Sequence, residues 1–389
     1  MKSFRHITPP LRIHQGPDCL AALEPELQRL GCQRAVIFCG QTLANDPGLL
    51  EPIQAAAHGR LAGVYTGVKA DTPLPHVENA VEELRRLNAD AIIAIGGGSA
   101  ITTARAANIL QAESGSAHTL CTRRTESGEL HSPKLLAPKL PILAIPSTPT
   151  TATVKAGSAI LDTVEGKRLA LYDPKARTKA VFIHPGMIAS APRDLVLSAS
   201  LNTFALALEG LMSRRGDPIA DAMLIHAVRL IAQNLPAATS SDDLEVRGEL
   251  MVASLLAGHG SDYTGAGMAI PIGHAISTQF AIGMGTSDAI MLPHVVRFNA
   301  QAAAAGLRKI ATALDVADRP EMPLSERLAQ TLRRLFASVG VPDRLRDVGV
   351  TQASLPELAA ICFDDWYLQS NPRRITDAAE VQHILELAW

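Results

Sequence analysis

A doubly wound α/β domain followed by an all-helical domain is what this sequence predicts, with residues 1–184 in the first and 185–389 in the second. Three observations predict it. Apolar runs of strand length alternate with helix-patterned segments through the first half. A glycine turn sits between one such run and the helix after it. Beyond Pro185 the strand pattern stops and only helical spacing remains. Alternating β and α elements imply a parallel sheet covered on both faces.

Ala35-Val36-Ile37-Phe38, following Gly31, is the first strand, and Leu61 to Tyr65 is the second. Between them Leu43 to Ala57 reads as a helix interrupted early by Pro47, which has no N–H for the helix ladder. His76 to Asn88 carries Val77, Ala80, Val81, Leu84 and Leu87 at helical spacing, with Glu82 and Arg86 placed for an ion pair one turn apart. Ala91-Ile92-Ile93-Ala94-Ile95 is apolar throughout, as a strand buried on both faces should be. Ala100 to Gln111 reads as the next helix, Ile142 to Ile145 as a strand between two prolines, and Val181-Phe182-Ile183 as the last strand. Ser114 to Pro141, basic through Arg123, Arg124, Lys134 and Lys139, breaks the rhythm and reads as an exposed excursion or a lid. Pro218 to Leu235, Leu244 to Leu256 and Leu324 to Ser338 have helical spacing; Gly340 and Pro342 stop the last of these. Thr376 to Trp389 reads as a terminal helix. Ligands are expected in the cleft between the domains, at the carboxyl ends of the strands.

Composition narrows the function. Hydrophobic residues at 47% and charged residues at 19% give ample material for cores and exclude disorder as the main architecture. Lys and Arg number 36 against 38 Asp and Glu, so the basic excess of a nucleic-acid binder is missing. Aromatics at 4% argue against a base-stacking surface. Cys19, Cys32, Cys39, Cys121 and Cys362 form no CxxC pair, which argues against a zinc knuckle or a disulfide framework and fits a reducing compartment. Met1 to His6 has no signal core, and no run of about 18 apolar residues suggests a membrane span. The expectation is a cytoplasmic enzyme acting on a small molecule, with no nucleic-acid or membrane partner.

Two loops carry the chemistry. Ile95 leads into Gly96-Gly97-Gly98-Ser99 and then a helix, so free N–H groups and a positive dipole end lie where a backbone without side chains lets a diphosphate approach. Ser99 is placed to cap that helix or to donate to a phosphate. The spacing is not GxGxxG. After the strand ending at Ile145, Pro146-Ser147-Thr148-Pro149-Thr150-Thr151-Ala152-Thr153 is dense in hydroxyls; it either binds a nucleotide or bonds its own backbone.

Together these loops resemble the iron-dependent alcohol dehydrogenase superfamily, and the resemblance runs nearly the whole chain. Gly96 to Ser99 with Ala104 and Arg105 resembles its glycine helix, Ile145-Pro146-Ser147-Thr148 its IPTT loop, and Leu292-Pro293-His294-Val295 with Phe298-Asn299 its LPHV…FN stretch. Asp71-Thr72-Pro73, Asn371-Pro372-Arg373 and Ala388-Trp389 look closest to the maleylacetate reductase branch. The resemblance implies a Rossmann-like domain followed by a helical one, a homodimer, and NAD or NADP held by Gly40, Gly96, Gly97, Gly98, Ser99, Thr148, Thr151 and Lys167. The acidic residue that selects NAD is replaced by Phe38-Cys39-Gly40-Gln41, so either dinucleotide is admitted.

The departures are sharper. Iron-dependent members hold a metal with an Asp, a His four residues later, and two further His. At those positions this chain is similar in alignment but carries Asn202, Leu206, Ile270 and Met284, so no catalytic metal is expected. Maleylacetate reductases also work without metal, yet keep histidines that this chain lacks; its apolar pocket points to a less charged, larger or different substrate. Thr102 and Arg105 stand where the glycine helix usually has Asp and Lys, and Arg105 either pairs with an anion or sits on a solvated face.

For proton transfer the candidates are His274, one turn past Ile270, and Tyr263, within the polar group His259, Asp262 and Tyr263, alongside Asn202. His184 replaces an Asp common in relatives, while His226 and His383 sit in ordinary amphipathic helices. No GxSxG elbow supports hydrolysis. The expected function is a metal-independent NAD(P)-dependent oxidoreductase on a carbonyl or alcohol. Alternatives are oxidation of a β-hydroxy acid with decarboxylation in a biosynthetic pathway, a lyase or cyclase on the same scaffold, and a catalytically silent scaffold relative.

Overall fold

The computed structural model describes residues 3–125 and 129–389. The chain divides into one unit of Pro9–Ala191 and another of Pro192–Trp389, which the N-terminal segment up to Thr8 joins. The division falls after Ala191 and not after His184, because Met187 of a short helix, Pro185–Ala189, is packed into the core of the sheet.

The first unit is built on a parallel six-stranded sheet. Its strands are β1 (Arg12–Gln15), β2 (Ala35–Phe38), β3 (Leu61–Tyr65), β4 (Ala91–Gly96), β7 (Ile142–Pro146) and β10 (Thr178–Ile183), in the order β1-β10-β7-β4-β2-β3. Every residue of β2, β4 and β7 is buried, which is why these strands are continuous apolar runs. Helices α1 (Leu23–Arg29), α2 (Gln41–Ala44), α3 (Pro47–Ala56), α4 (Leu74–Arg86), α5 (Gly98–Ala112), α6 (Ala117–Leu120) and α7 (Pro185–Ala189) make the connections. Pro47 does split the first predicted helix in two, and it starts α3 at a position where its missing N–H costs nothing.

Two small hairpins complete this unit. The stretch from Ser114 to Pro141 contains α6 and the pair β5 (Arg123–Arg124) and β6 (Leu130–His131); residues 126–128 lie outside the described residues. Lys139 is not part of an exposed face as expected. Its side chain is fully buried, with Nζ 2.6 Å from Glu113 Oε1 and 3.0 Å from Asp173 Oδ2. The second hairpin, β8 (Gly157–Asp162) with β9 (Lys167–Tyr172), turns at Gly166, whose φ of +65° suits glycine.

The second unit is helical: α8 (Arg193–Met212), α9 (Pro218–Ser240), α10 (Leu244–Thr264), α11 (Ala269–Gln279), α12 (Met284–Phe298), α13 (Ala304–Ala313), α14 (Leu324–Ser338), α15 (Leu355–Asp364) and α16 (Ala378–Ala388). Helix α8 is, by length and composition, apolar enough to cross a membrane, contrary to the expectation that no segment qualifies. Its most apolar window is 72% buried among the other helices, as suits the central helix of a bundle. The fold therefore delivers two places for chemistry: the carboxyl ends of β2, β4 and β7, and the meeting of α8, α11 and α12.

Candidate active site

At the end of β4 the chain turns through Gly96, at φ +127°, into Gly97, which caps α5 with its backbone alone. Ser99 therefore does not cap the helix. Gly96 is paired with Pro146 of the neighbouring strand, and the Ser147 N–H donates to the Gly96 carbonyl at 3.0 Å. This brings the two loops into contact. A Cβ on Gly97 would lie 3.2 Å from Thr148 Oγ1, and one on Gly98 would lie 2.9 Å from Thr150 Oγ1. Glycine is needed there because the hydroxyl loop fills the space. Thr148 and Thr151 are buried. Thr150 uses its own hydroxyl to accept the Ala152 N–H, so the loop both bonds its own backbone and lines the glycine turn. Gly40 starts α2 at the end of β2, the strand next to β4.

Lys167, expected at this site, and Arg105, expected on an anion or on a solvated face, make other contacts. Lys167 lies on the exposed β8–β9 hairpin, its side chain 75% exposed with Glu165 at 4.0 Å, and no hydrogen bond among the described residues ties it to the glycine turn. Arg105 is neither an anion ligand nor solvated. It is fully buried and donates Nη1 to the Gly157 carbonyl at 2.8 Å and Nη2 to the Ala152 carbonyl, tying α5 to the hairpin and the hydroxyl loop.

In the helical unit, three helices each present a pair one turn apart: Asn202 and Leu206 on α8, Ile270 and His274 on α11, Met284 and Asp288 on α12. Asn202 Nδ2 donates to Asp288 Oδ2 at 2.8 Å. Asp288 is fully buried, and its carboxyl is raised well above the usual range, first by burial, against the bond from Asn202, with Glu209 adding negative charge. Glu209 is buried too and accepts backbone N–H groups from Gly267 at 2.8 Å and Ala269 at 2.6 Å, which fixes the turn into α11. Burial pushes it to about 7 against those bonds.

This donor set does not fit a divalent metal. Leu206 and Ile270 are buried hydrocarbon, Met284 offers only a thioether, and Gly265 to Met268 supply no oxygen or nitrogen side chain. The one metal-type cluster among the described residues is elsewhere: His118, Asp162 and Glu165, within 4.8 Å of one another at the β8–β9 hairpin, with none of the four expected positions in it.

His274 Nδ1 lies 2.7 Å from Oδ2 of Asp365, and the ring is flanked by Trp366 at 5.6 Å and Tyr367 at 6.1 Å. Sequence reasoning missed all three partners. Tyr263 stacks on His6 at 4.3 Å, and His6 in turn meets Asp217 at 3.0 Å. Asp262, from the same polar group, adds its charge to Tyr367, whose hydroxyl burial pushes up to about 12. His184 precedes α7, and burial lowers it below the usual imidazole value. His226 and His383 are exposed on α9 and α16.

Comparison with known proteins agrees with this arrangement. The family model described as iron-containing alcohol dehydrogenase matches residues 10–185, and its C-terminal counterpart matches residues 196–389. The lactaldehyde reductase of Escherichia coli K12 is 30% identical over 386 residues, covering 96% of this chain and 97% of that one. The NAD-dependent methanol dehydrogenase of Bacillus methanolicus is 26% identical, with 96% of each chain covered. The solved maleylacetate reductase of Agrobacterium tumefaciens shares the fold at a TM-score of 0.80 and 22% identity, over 100% of this chain and 99% of that one. A glycine turn paired with a hydroxyl loop, a helical second unit, and similarity to a relative at this identity over 96% of the chain place it in the iron-containing alcohol dehydrogenase family.

Proposed function

We propose that this protein is a metal-independent NAD(P)-dependent oxidoreductase acting on a carbonyl or alcohol carbon. The observation that carries the reading is the contrast between its two sites. The glycine cradle is kept, with a Cβ at Gly97 or Gly98 crowding the Thr148 or Thr150 hydroxyl, while the expected metal positions hold an amide and three side chains of hydrocarbon or thioether.

The residues fit a dinucleotide. Gly96, Gly97, Gly98 and Ser99 offer backbone N–H groups at the start of α5 to a diphosphate, with the Thr148 hydroxyl beside Gly97 and Thr151 further along the same loop. A bound nicotinamide would supply a hydride acceptor or donor. Gly40 leaves the ribose side without a carboxylate, so both NAD and NADP are admitted. In the helical unit Asn202 orients the substrate oxygen by hydrogen bonding, and His274 takes or gives its proton. Leu206, Ile270 and Met284 exclude water and disfavour a dianion, so the substrate is less charged than maleylacetate. Tyr263, held by His6, supports the fold of this unit and is not the proton donor.

The family relatives are named for lactaldehyde and methanol, which supports a small alcohol or aldehyde. The five cysteines are free and buried, which suits a reducing cytoplasm, and light scattering tests the homodimer implied by the family. The deciding experiment is nicotinamide fluorescence with NADH and NADPH on chelator-treated protein. Micromolar binding without metal is expected. Binding of neither nucleotide overturns the reading in favour of a silent scaffold, and binding only after metal is restored refutes metal independence.

A further inference from the structure

We infer that Asp365 is the positioning residue for His274: its carboxylate holds the Nδ1 proton of the ring and leaves Nε2 as the nitrogen that exchanges a proton with substrate. This deepens the oxidoreductase reading and, for the word substrate, rests on it.

The geometry is specific. Asp365 Oδ2 lies 2.7 Å from His274 Nδ1, while the other carboxylate oxygen, Oδ1, accepts the Tyr367 N–H at 2.8 Å. Both oxygens are thus engaged and the carboxylate cannot rotate away. The two side chains are 14% and 8% exposed, so the pair is shielded from competing water. Trp366 and Tyr367 stand at 42° and 41° to the imidazole and limit its rotation. No hydrogen bond to Nε2 is present among the described residues. A carboxylate accepts and never donates when ionised, so Nδ1 must carry hydrogen and Nε2 must carry the lone pair of the neutral ring. The ionisable groups on the helices packed against α11 are Arg193, Asp194 and Glu209 on α8, Asp288, His294 and Arg297 on α12, and Glu357, Cys362 and Asp364 on α15, with Tyr367 following α15. Glu209 accepts backbone N–H groups, Asp288 accepts from Asn202, and Arg193 and Arg297 pair with Asp242 and Glu326.

The proton balance closes. In the oxidation direction a bound dinucleotide would accept, as hydride, the electron pair of the breaking substrate C–H bond. The O–H proton passes to Nε2, giving an imidazolium that Asp365 stabilises, and solvent removes it. Reduction runs the same steps backward.

The test does not depend on turnover. Histidine-labelled protein, with the His274 signal among the 12 histidines assigned by H274Q, gives the tautomer from its ring nitrogen and carbon shifts. The neutral ring is expected as the Nδ1–H form, changing to the commoner Nε2–H form in D365N and returning in D365E. Diethyl pyrocarbonate should acylate His274 at Nε2, at least threefold more slowly in D365N. An Nε2–H ring in the wild-type protein overturns the inference without any variant, and so does an unchanged tautomer and acylation rate in D365N. Failure of NADH and NADPH to bind would remove the oxidoreductase reading while leaving the tautomer result to stand or fall by itself.

Discussion

Asn202 and Asp288 are joined by a hydrogen bond of 2.8 Å between Nδ2 and Oδ2, and Asp288 is completely buried. Helices α8 and α12 are therefore fastened by an amide and an acid, at a position where the family resemblance leads one to expect a cation. Among the described residues the second oxygen of Asp288, Oδ1, has no hydrogen-bond partner, and no cationic side chain bonds the carboxyl. Burial drives the titration of this carboxyl upward, against the bond from Asn202 and with the negative charge of Glu209 adding to the rise.

Restoring the carboxylate at position 202 is then expected to harm this protein. Asn202→Asp puts a second acid against Asp288 with no cation between them, at a cost of about 2–4 kcal/mol in urea unfolding. Asp288→Asn keeps an amide–amide bond available and should cost under about 1.5 kcal/mol. If Asn202→Asp proved neutral in metal-free buffer, a cation or an unsuspected base would have to compensate it.

The glycine turn makes a separate prediction. Gly98→Ala introduces a Cβ 2.9 Å from Thr150 Oγ1, in the turn to which the proposed function assigns the diphosphate. Dinucleotide affinity is expected to fall at least tenfold by nicotinamide fluorescence. The melting temperature should change little, because alanine is a better helix former than glycine and the Thr150 hydroxyl is a movable side-chain atom. Loss of folding with intact affinity per folded molecule would show that the turn serves packing alone.

What the sequence revealed and concealed follows the same physical division. Strands β2, β4 and β7 were legible because each is a short apolar run buried on both faces. Strand β1 was not, since Arg12, His14 and Gln15 on a sheet edge look like a loop. Helices α8 and α12 bury most of their residues, so they lack the polar face that makes a period visible, whereas α14 has one and was read to the residue. The glycine turn is a local signal. Asp365 is 91 residues from His274, and Arg105 owes its burial to a hairpin more than 40 residues away, so neither role has any trace in neighbouring residues.

Glu209 gives the protein a pH dependence of known sign. Its carboxyl is raised from 4.5 to about 7, chiefly by burial, so the folded state binds this proton more tightly than the unfolded chain. The stabilisation is complete below about pH 4.5 and is lost as pH rises through about 7, amounting to about 3 kcal/mol. Asp288, also raised, acts in the same direction. His294 acts in the opposite one: lowered to about 4, mainly by burial, it favours folding above pH 6.5 and loses that contribution as pH falls through about 4. Comparing wild type with Glu209→Gln separates the two, because the His294 contribution cancels. The difference in unfolding free energy between the proteins should shift toward the variant as pH is raised from 5 to 8. A constant difference across that range would show that Glu209 is ionised throughout, held by the N–H groups of Gly267 and Ala269.

Gly285 tests whether α8 and α12 must touch for the site to exist. A Cβ there would run into the backbone carbonyl oxygen of Ser198, and backbone cannot swing aside as a side chain can. Gly285→Ala must therefore separate the two helices one turn before Asn202 and one residue after Met284. A destabilisation of about 2–4 kcal/mol is expected, as for other overpacked cores. The effect should be local to the helical unit: NADH affinity, which the proposed function assigns to Gly97, Gly98 and Thr148 in the other unit, should stay within about twofold, while protection of the Asn202 side-chain amide from hydrogen exchange should fall. Equal loss of both would mean that dinucleotide binding depends on the packing of α8 and α12, and the two sites would have to be treated as one.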